Sequence, residues 1–429
     1  MARETDRLIE GGTRAQDEAR GLGRAPGLPG RRGSRALIRD LNVSLLIELV
    51  RRFGPISRAD LARASELSAP AVSAIVRQLL DRGIFTEVAV APSGGGRPPV
   101  LLQLDPKAGY VVGIKLRGDG LTIVVCDIDA DVLVAAEEGA QLVGDPDAAI
   151  AAVEQATKRV VREAGISRSK VLGVGVGVSG VIDPHRGVCA FSHLLGWHDV
   201  ELAEPLQRKL RLPVWVENDV NTLAVAEKWA GGGIAARNFV TLTIGRGIGL
   251  GIVVDRALYR GASGGAGEFG HTVVDPNGPL CECGRRGCLE ALVGELALRR
   301  RVGERLGRDV SRDELVERAA GGDLAVLDVL DVAGNELGRA LANVVTLLNP
   351  ELLIVCGEGT ELGEPFLGPA IAAVRAGAFA DLGRTLEIKT QRWGDEAWAV
   401  GAATLALREL FNLPDADENR PAVWRLLEA

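Results

Sequence analysis

The chain has 429 residues, enough for two or three domains, and 47% of them are hydrophobic, so sizeable cores can be buried. No apolar run reaches the roughly 18 residues of a membrane span, and nothing at the start resembles a signal peptide, which favours a soluble cytoplasmic protein without a membrane partner. The net charge of −7 argues against nucleic-acid binding, but residues 1–107 hold 17 Lys+Arg against 12 Asp+Glu (net +5), which leaves 33 against 45 (net −12) for residues 108–429. A basic head on an acidic body is typical of a nucleic-acid module joined to another domain.

The first part of the chain changes character at Ser34. Residues 1–33 are rich in Gly, Arg and Glu without an apolar period, which predicts a disordered tail. From Ser34 apolar residues recur at helical spacing, which predicts a first helix that Gly54-Pro55 ends. The predicted apolar face contains Leu37, Ile38, Leu41, Leu45, Leu46, Leu49 and Val50.

Two short helices follow. Ser57-Arg58-Ala59-Asp60 is a capping box that opens the second helix, and Ser68 caps a third helix with Pro70 in its first turn. Short helices joined by a tight turn indicate a helix-turn-helix. Two predicted strands, 84–90 and 99–104, flank the basic loop 93–98, which would be a wing. Residues 34–107 are therefore predicted to form a winged helix-turn-helix domain.

The third helix of this domain is the predicted recognition helix. The N-terminal part of such a helix meets base edges, which selects Ser68, Ala69, Ser73 and Arg77. We expect Arg97 on the wing to enter the minor groove, and Arg58 and Arg63 to hold phosphates. The competing interpretation is a small helical interaction domain whose arginines are merely solvated.

The body, residues 108–429, alternates predicted strands and helices after a linker at Asp105-Pro106, which favours an α/β core. Glycines interrupt a buried strand at 171–178, residues 293–320 and 323–348 have amphipathic helical patterns, and a last helix is predicted at 397–411. Glu217-Asn218-Asp219 follows the predicted strand 214–216. An amide beside a carboxylate can grip adjacent hydroxyls, although Asn and Asp equally favour a turn or a helix cap.

One stretch of the body has the spacing of a metal site. His271 is followed by Cys281, Cys283 and Cys288, and three thiolates with one imidazole form a closed tetrahedral set for structural zinc. The alternatives are a chance cluster of buried cysteines, or a disulfide, which an intracellular chain disfavours. Glu268 and Glu290 bracket this loop, and a polyhydroxylated ligand such as a sugar could satisfy the second nitrogen of the imidazole.

These motifs carry a family resemblance. Glu268-Phe269-Gly270-His271, followed by Cys-x-Cys-Gly-x-x-Gly-Cys-x-Glu, resembles the signature of the ROK family of repressors, open-reading-frame proteins and sugar kinases. Residues 54–62, 67–73 and 95–98 resemble the winged helix of ROK repressors. The resemblance covers about residues 35–412. It implies a two-lobed, actin-like ATPase fold with a ligand cleft, with a first lobe of about 108–218 plus the helix at about 397–412, and a second lobe of about 219–396.

The resemblance also shows departures from the kinases. Family kinases carry an Asp-x-Gly-x-Thr phosphate loop, and here Lys115, Arg117 and Asp119 replace its Asp, first Gly and Thr. A second glycine motif, 245–249, keeps its glycines but has Arg246 where kinases place Thr, and Glu358 replaces a glycine near the adenosine site. A bulky arginine should prevent the close backbone approach that holds phosphate.

The sequence therefore predicts a sugar-responsive, DNA-binding regulator of carbohydrate metabolism, most simply a repressor, that has lost kinase activity. The expected sugar ligands are Asn218, Asp219, Glu268, His271 and Glu290. We also expect one structural Zn²⁺, and a homodimer or homotetramer that binds operator DNA. In family kinases the residue matching Asp219 is the general base. Two alternatives stay open: an active ATP-dependent sugar kinase with an accessory DNA-binding domain, and a regulator that answers to a protein partner instead of a sugar.

Overall fold

A computed structural model describes residues 35–89, 100–391 and 396–411. Its N-terminal head has the helices α1 (Arg35–Phe53), α2 (Arg58–Ser65) and α3 (Ala69–Asp81). A small antiparallel sheet closes the head, with β1 (Ile56–Ser57), β2 (Phe85–Ala89) and β3 (Val100–Leu104) in the order β1-β3-β2. The predicted tail 1–33 and the predicted wing loop 93–98 with Arg97 lie outside the described residues.

The helix caps of the head are those that the sequence predicts. Ser57 accepts a hydrogen bond from the Asp60 amide at 3.2 Å and donates to the Asp60 carboxylate at 2.6 Å. Ser68 accepts from the amide of Ala71 at 3.4 Å, so the predicted start of α3 is confirmed.

The buried face of α1 matches the predicted one in part, since Leu46 and Val50 are buried as predicted. Ile38 is 51% exposed, and the buried apolar positions are Val43, Leu46, Ile47 and Val50. The buried face also includes Val43 and Ile47, which the prediction left out and which belong to the core shared by the head and the body. The residues against which this face packs belong to other elements, so the spacing within the helix does not identify them.

The first lobe of the body is built on a five-stranded sheet in the order β11-β7-β4-β5-β6. Its strands are β4 (Tyr110–Arg117), β5 (Gly120–Asp127), β6 (Val132–Gly139), β7 (Val171–Val178) and β11 (Val214–Asn218). The helices are α4 (Pro146–Glu163) and α5 (Ala203–Leu210), and a smaller sheet contains β8 (Val181–Asp183), β9 (Val188–Ser192) and β10 (Trp197–Glu201). Strand β4 extends to Arg117, so Lys115 and Arg117 belong to a regular hairpin with β5 and not to a loop.

The C-terminal helix α13 (Ala397–Phe411) returns to the first lobe, as the resemblance implies. It lies so close to the sheet that a Cβ atom at Gly175 would be 1.8 Å from the backbone oxygen of Ala402, and one at Gly113 would be 2.0 Å from that of Ala399. This close approach is the physical reason for glycines in strands that are otherwise rich in valine.

The second lobe has a five-stranded sheet in the order β14-β13-β12-β15-β16. Its strands are β12 (Phe239–Ile244), β13 (Ile248–Val254), β14 (Ala257–Leu258), β15 (Leu352–Cys356) and β16 (Glu387–Thr390). Its helices are α7 (Leu289–Val293), α8 (Glu295–Leu306), α9 (Arg312–Ala320), α10 (Leu324–Leu348), α11 (Glu364–Gly377) and α12 (Leu382–Thr385). The single helix predicted at 293–320 is wrong: Gly307, at a φ of 70°, caps α8 in the left-handed region and separates it from α9.

One helix, α6 (Asp219–Trp229), runs from the cleft between the lobes to the head. At its far end the ring centroid of Trp229 lies 3.9 Å from the guanidinium of Arg51 in α1 and 5.9 Å from the ring of Phe411 in α13. A single hydrophobic cluster joins the core of the head to strands β4 and β5 and to α13. The head and the first lobe are therefore packed as one body. No helix within the described residues is long and apolar enough to span a membrane.

Candidate functional site

A cleft of about 570 Å³ lies between the two lobes. All five predicted sugar ligands line it, with side chains contributed by both lobes: Asn218, Asp219, Glu268, His271 and Glu290. Strands β4 and β7 bring residues of the first lobe to one wall, and the glycine turn before β13 forms the opposite wall. The structure thus brings together residues that are far apart in the chain.

Asn218 and Asp219 lie at the start of α6. The Asn218 side-chain oxygen accepts hydrogen bonds from the amides of Val220 at 2.9 Å and Asn221 at 3.1 Å, and its amide nitrogen donates to the carbonyl of Gly180 at 2.9 Å. The interpretation of Asn218 as a helix cap is therefore correct. Its remaining capacity for a ligand is small, because both ends of its amide already have partners.

Asp219 is bound by a residue whose role the sequence did not indicate. Its carboxylate forms an ion pair with the ammonium of Lys115, and both side chains are about nine-tenths buried. The ammonium also lies 5.0 Å from the ring centroid of Trp398 in α13. Burial lowers the pKa of Lys115 to about 7, and the carboxylate of Glu358 opposes this shift. The ion pair itself favours the charged ammonium, because an adjacent carboxylate stabilises a cation.

His271 and the three cysteines form a compact cluster. Their ligand atoms all lie within 4.8 Å of one another, with the Sγ atoms of Cys283 and Cys288 3.7 Å apart and the Sγ of Cys281 3.6 Å from Nδ1 of His271. A tetrahedral zinc ion would place two thiolate sulfurs about 3.8 Å apart and a sulfur about 3.6 Å from an imidazole nitrogen. The donor set and its geometry therefore fit a structural zinc ion.

The electrostatics of the cluster also suit a cation. All six cysteines are free thiols. Burial raises the pKa of Cys281 to about 12, so a nearby positive charge is needed for this thiol to ionise at neutral pH. Burial opposes ionisation at Cys283 as well, but hydrogen bonds from the backbone and side chain of Arg285 lower the pKa of this thiol. Arg285 also donates to the carbonyl of His271 at 2.9 Å, which ties the two ends of the loop together.

Glu268 and Glu290 lie beside this cluster, as predicted. The Oε1 atom of Glu290 is 3.8 Å from the Sγ of Cys281 and 4.0 Å from Nδ1 of His271, and its Oε2 accepts a hydrogen bond from the amide of Ile248 at 3.1 Å. Burial raises the pKa of both glutamates, and for Glu268 the charge of Glu290 adds to the effect. The carboxyls thus connect the cysteine loop to the wall of the cleft.

The sequence does not single out His193 as a cleft residue, and it marks Glu358 only as the replacement of a glycine near the adenosine site. The ring of His193 stands edge-on to that of His271 at a centroid distance of 5.3 Å, and His193, His271 and Glu290 bring ligand atoms within 4.8 Å of one another. Glu358 lines the cleft near Lys115. No spacing pattern in the sequence distinguishes His193, and only the folded structure places it beside His271.

The described residues that are predicted to contact DNA have different surroundings. Ser73 and Arg77 are exposed on α3, next to the cap Ser68 and Ala69. Arg58 forms an ion pair with Glu87 at 2.7 Å, and Arg63 pairs with Asp60. Both carboxylate partners would compete with DNA phosphates, whereas α3 presents its residues to solvent.

Similar proteins match this chain over most of its length. A putative xylose repressor of Caldicellulosiruptor sp. is 28% identical over 397 residues, which cover 89% of this chain and 99% of that protein. The xylose repressor of Bacillus subtilis is 28% identical and covers 88% of this chain and 97% of its own length. The DNA-binding transcriptional dual regulator NagC of Escherichia coli is 27% identical, with 90% and 97% covered.

Solved structures and a family model complete the comparison. A ROK family transcriptional regulator, a homologue of the E. coli MLC protein, aligns with a TM-score of 0.80 at 26% identity and covers 91% of this chain and 100% of its own. A ROK family glucokinase from Streptomyces griseus aligns with a TM-score of 0.60 at 27% identity, but covers only 69% of this chain and 99% of its own. The ROK family model matches residues 111–409, more than half of the sequence, and the chain belongs to the ROK family.

Proposed function

We propose that this chain is a sugar-responsive, DNA-binding transcriptional repressor that binds a sugar in the cleft without phosphorylating it. The observation that carries the proposal is the ion pair between Lys115 and Asp219, in a ROK body that is packed against a winged helix-turn-helix head. Relatives named as repressors or as a DNA-binding transcriptional regulator align with the head as well as the body, because they cover 88–90% of the chain. Such a regulator works where the chromosome is, in the cytoplasm.

The kinase alternative is disfavoured by the same ion pair. A general base must be free to accept the proton of a sugar hydroxyl, and an adjacent ammonium lowers the proton affinity of a carboxylate. Arg117 is also engaged, since its guanidinium contacts Thr122 at 2.7 Å and Glu137 at 3.1 Å beside the hairpin. The alternative of a regulator without a sugar ligand is disfavoured by the five predicted residues that line one cleft.

We propose one structural zinc ion held by His271, Cys281, Cys283 and Cys288. The ion would supply the positive charge that the buried thiols need, and it would fix the loop that carries Glu290. Coordination through Nδ1 would leave the other imidazole nitrogen of His271 for a sugar hydroxyl in the cleft.

The first prediction concerns this metal. We expect elemental analysis of the purified protein to find about one zinc per chain. Cys283→Ser should lose the metal and the sugar response, because serine is a poor zinc ligand. Cys189→Ala, which changes a buried cysteine outside the cluster, should keep both. A folded wild-type protein free of zinc would show that the cluster is not a zinc site.

On the DNA side, α3 would place Ser68, Ser73 and Arg77 against base edges, and Arg58 and Arg63 would approach phosphates after exchanging their carboxylate partners. Arg97 would reach the minor groove from the wing. We also propose a homodimer or homotetramer, since paired heads would contact two half-sites about 34–36 Å apart.

The second prediction tests the recognition helix. Arg77→Ala should weaken binding to the true operator by about 1–3 kcal/mol and relax its sequence preference, because a base contact is lost. The measurement is quantitative footprinting on the operator and on scrambled DNA. Arg162→Ala removes an exposed arginine from α4 and serves as the charge-matched control. Unchanged operator footprints in Arg77→Ala would show that another surface contacts the bases.

The third prediction tests the cleft. Asp219→Asn removes the charge that would accept sugar hydroxyl hydrogen bonds, and we expect sugar affinity to fall about ten- to a hundredfold. Operator affinity should be measured with and without the sugar that releases the wild type. The exposed Asp199→Asn is the matched control, since asparagine tolerates its left-handed backbone at a φ of 48°. A mutant that still responds at the wild-type sugar concentration would place the effector elsewhere.

The fourth prediction tests how the cleft communicates with the head. Helix α6 has 11 residues, so it spans about 16 Å from Asp219 to the Trp229–Arg51 contact. Trp229→Ala removes a cation–π contact worth about 0.5–2 kcal/mol and should reduce the difference in operator affinity between sugar-bound and sugar-free protein. Trp229→Phe keeps an aromatic face and should retain most of that difference. Equal coupling in Trp229→Ala and wild type would exclude this contact as the connection.

A further inference from the structure

The cations of the cleft are already neutralised by the chain itself. Among the described residues, four cationic side chains line the cleft: Lys115, Arg117, Arg246 and Arg312. Each is in an ion pair, as Lys115 pairs with Asp219, Arg117 with Glu137 at 3.1 Å, Arg246 with Glu282 at 3.1 Å, and Arg312 with Glu361 at 2.7 Å. An anionic ligand would therefore meet a carboxylate beside every one of these cations.

The glycine turn that precedes β13 is occupied in the same way. The amide of Ile248 donates to Glu290 at 3.1 Å, and a Cβ atom at Gly247 would lie 2.8 Å from the same carboxylate oxygen. On the other side, a Cβ atom at Gly245 would lie 2.3 Å from Oε2 of Glu358. Glycines in such a turn let an anion approach the backbone. Here the anions in contact with the turn are two side chains of the protein.

The sum of charges points the same way. Seven carboxylates of the described residues line the cleft with the four cations, which gives a formal charge of 4 − 7 = −3 when all are ionised. Besides the partners Glu137, Asp219 and Glu282, they are Glu268, Glu290, Glu295 and Glu358. In a partly buried cleft, a net charge near −3 opposes the entry of a phosphate, because water screens the repulsion between close like charges only in part.

We infer that the effector of this chain is an uncharged sugar, and that the cleft excludes sugar phosphates and nucleotides because its own carboxylates hold the cations and the glycine turn that a phosphate would need. Glu358 and Glu282 are then specificity-determining residues. The inference rests on the proposed function and narrows it to one ligand class.

The experiment compares matched pairs by isothermal titration calorimetry on the full-length protein. The probes are D-glucose and D-glucose 6-phosphate, N-acetyl-D-glucosamine and its 6-phosphate, and D-xylose and D-xylose 5-phosphate, with ATP and inorganic phosphate added alone. We expect an uncharged member to bind and its phosphate to bind at least about thirtyfold more weakly, with no measurable heat from ATP or inorganic phosphate.

The outcomes separate the inference from the function on which it rests. A phosphorylated sugar that binds as tightly as its parent, or tighter, would overturn the inference while leaving a sugar-responsive regulator in place. Measurable ATP binding would also overturn it. Binding of neither member of any pair would overturn both the inference and the sugar-responsive function.

A variant tests the cause of the exclusion. Glu358→Gln removes one of the charges against the glycine turn without changing side-chain size, and it should raise the affinity for the phosphorylated member relative to the uncharged one by about tenfold. Glu204→Gln removes an exposed carboxylate that pairs with Arg208 on α5, away from the cleft, and should leave that ratio unchanged. Equal ratios in Glu358→Gln, Glu204→Gln and wild type would show that the carboxylate at the turn does not set the specificity.

Discussion

The ion pair between Lys115 and Asp219 is the interaction on which the behaviour of the cleft depends. Both charged side chains are about nine-tenths buried, and burial removes much of their hydration. The attraction between them offsets this desolvation free energy, which neither charge alone could do. The pair fixes Asp219 as an anion with a permanent partner, which suits hydrogen bonding to a hydroxyl and opposes proton abstraction. It also places a cation where Trp398, from the C-terminal helix, completes the wall. A lysine on β4 thereby occupies the carboxylate that, by resemblance, matches the general base of the family kinases.

The parts of the site that the sequence predicted are those with local causes. The cysteine loop depends on four residues within 18 positions, and a metal cluster of this kind requires only short-range spacing. The caps Ser57 and Ser68 follow from hydrogen bonds three residues away. Asn218 was open between a helix cap and a ligand, and the structure shows the cap. Asn218 lies at the cleft because it is the last residue of β11, a parallel strand that ends at the edge of the sheet.

The parts that the sequence could not supply depend on partners from distant elements. Lys115 and Asp219 are 104 positions apart. The sequence therefore identifies the lysine only as a replacement in the kinase phosphate loop, and not as the counter-ion of Asp219. His193 reaches His271 through a turn after β9 whose position is set by the folded sheet. The buried face of α1 is predicted only in part, because Val43 and Ile47 belong to a core that includes strands and a helix of the body. Helical periodicity identifies candidate faces, but only the tertiary partner decides between them.

The shared core of the head and the first lobe constrains how a sugar can act. A ligand alters operator affinity only if its own affinity differs between two arrangements of the protein. Because β4, β5, α13 and the head are packed in one cluster, a loose swing of the head relative to the first lobe would expose apolar core. The lower-cost motion is closure of the second lobe over the cleft, which acts on the start of α6 through the residues that line both walls. Since α6 ends in the Trp229–Arg51 contact, a small rotation of this helix would reach α1 directly, without breaking the core that joins the head to the body.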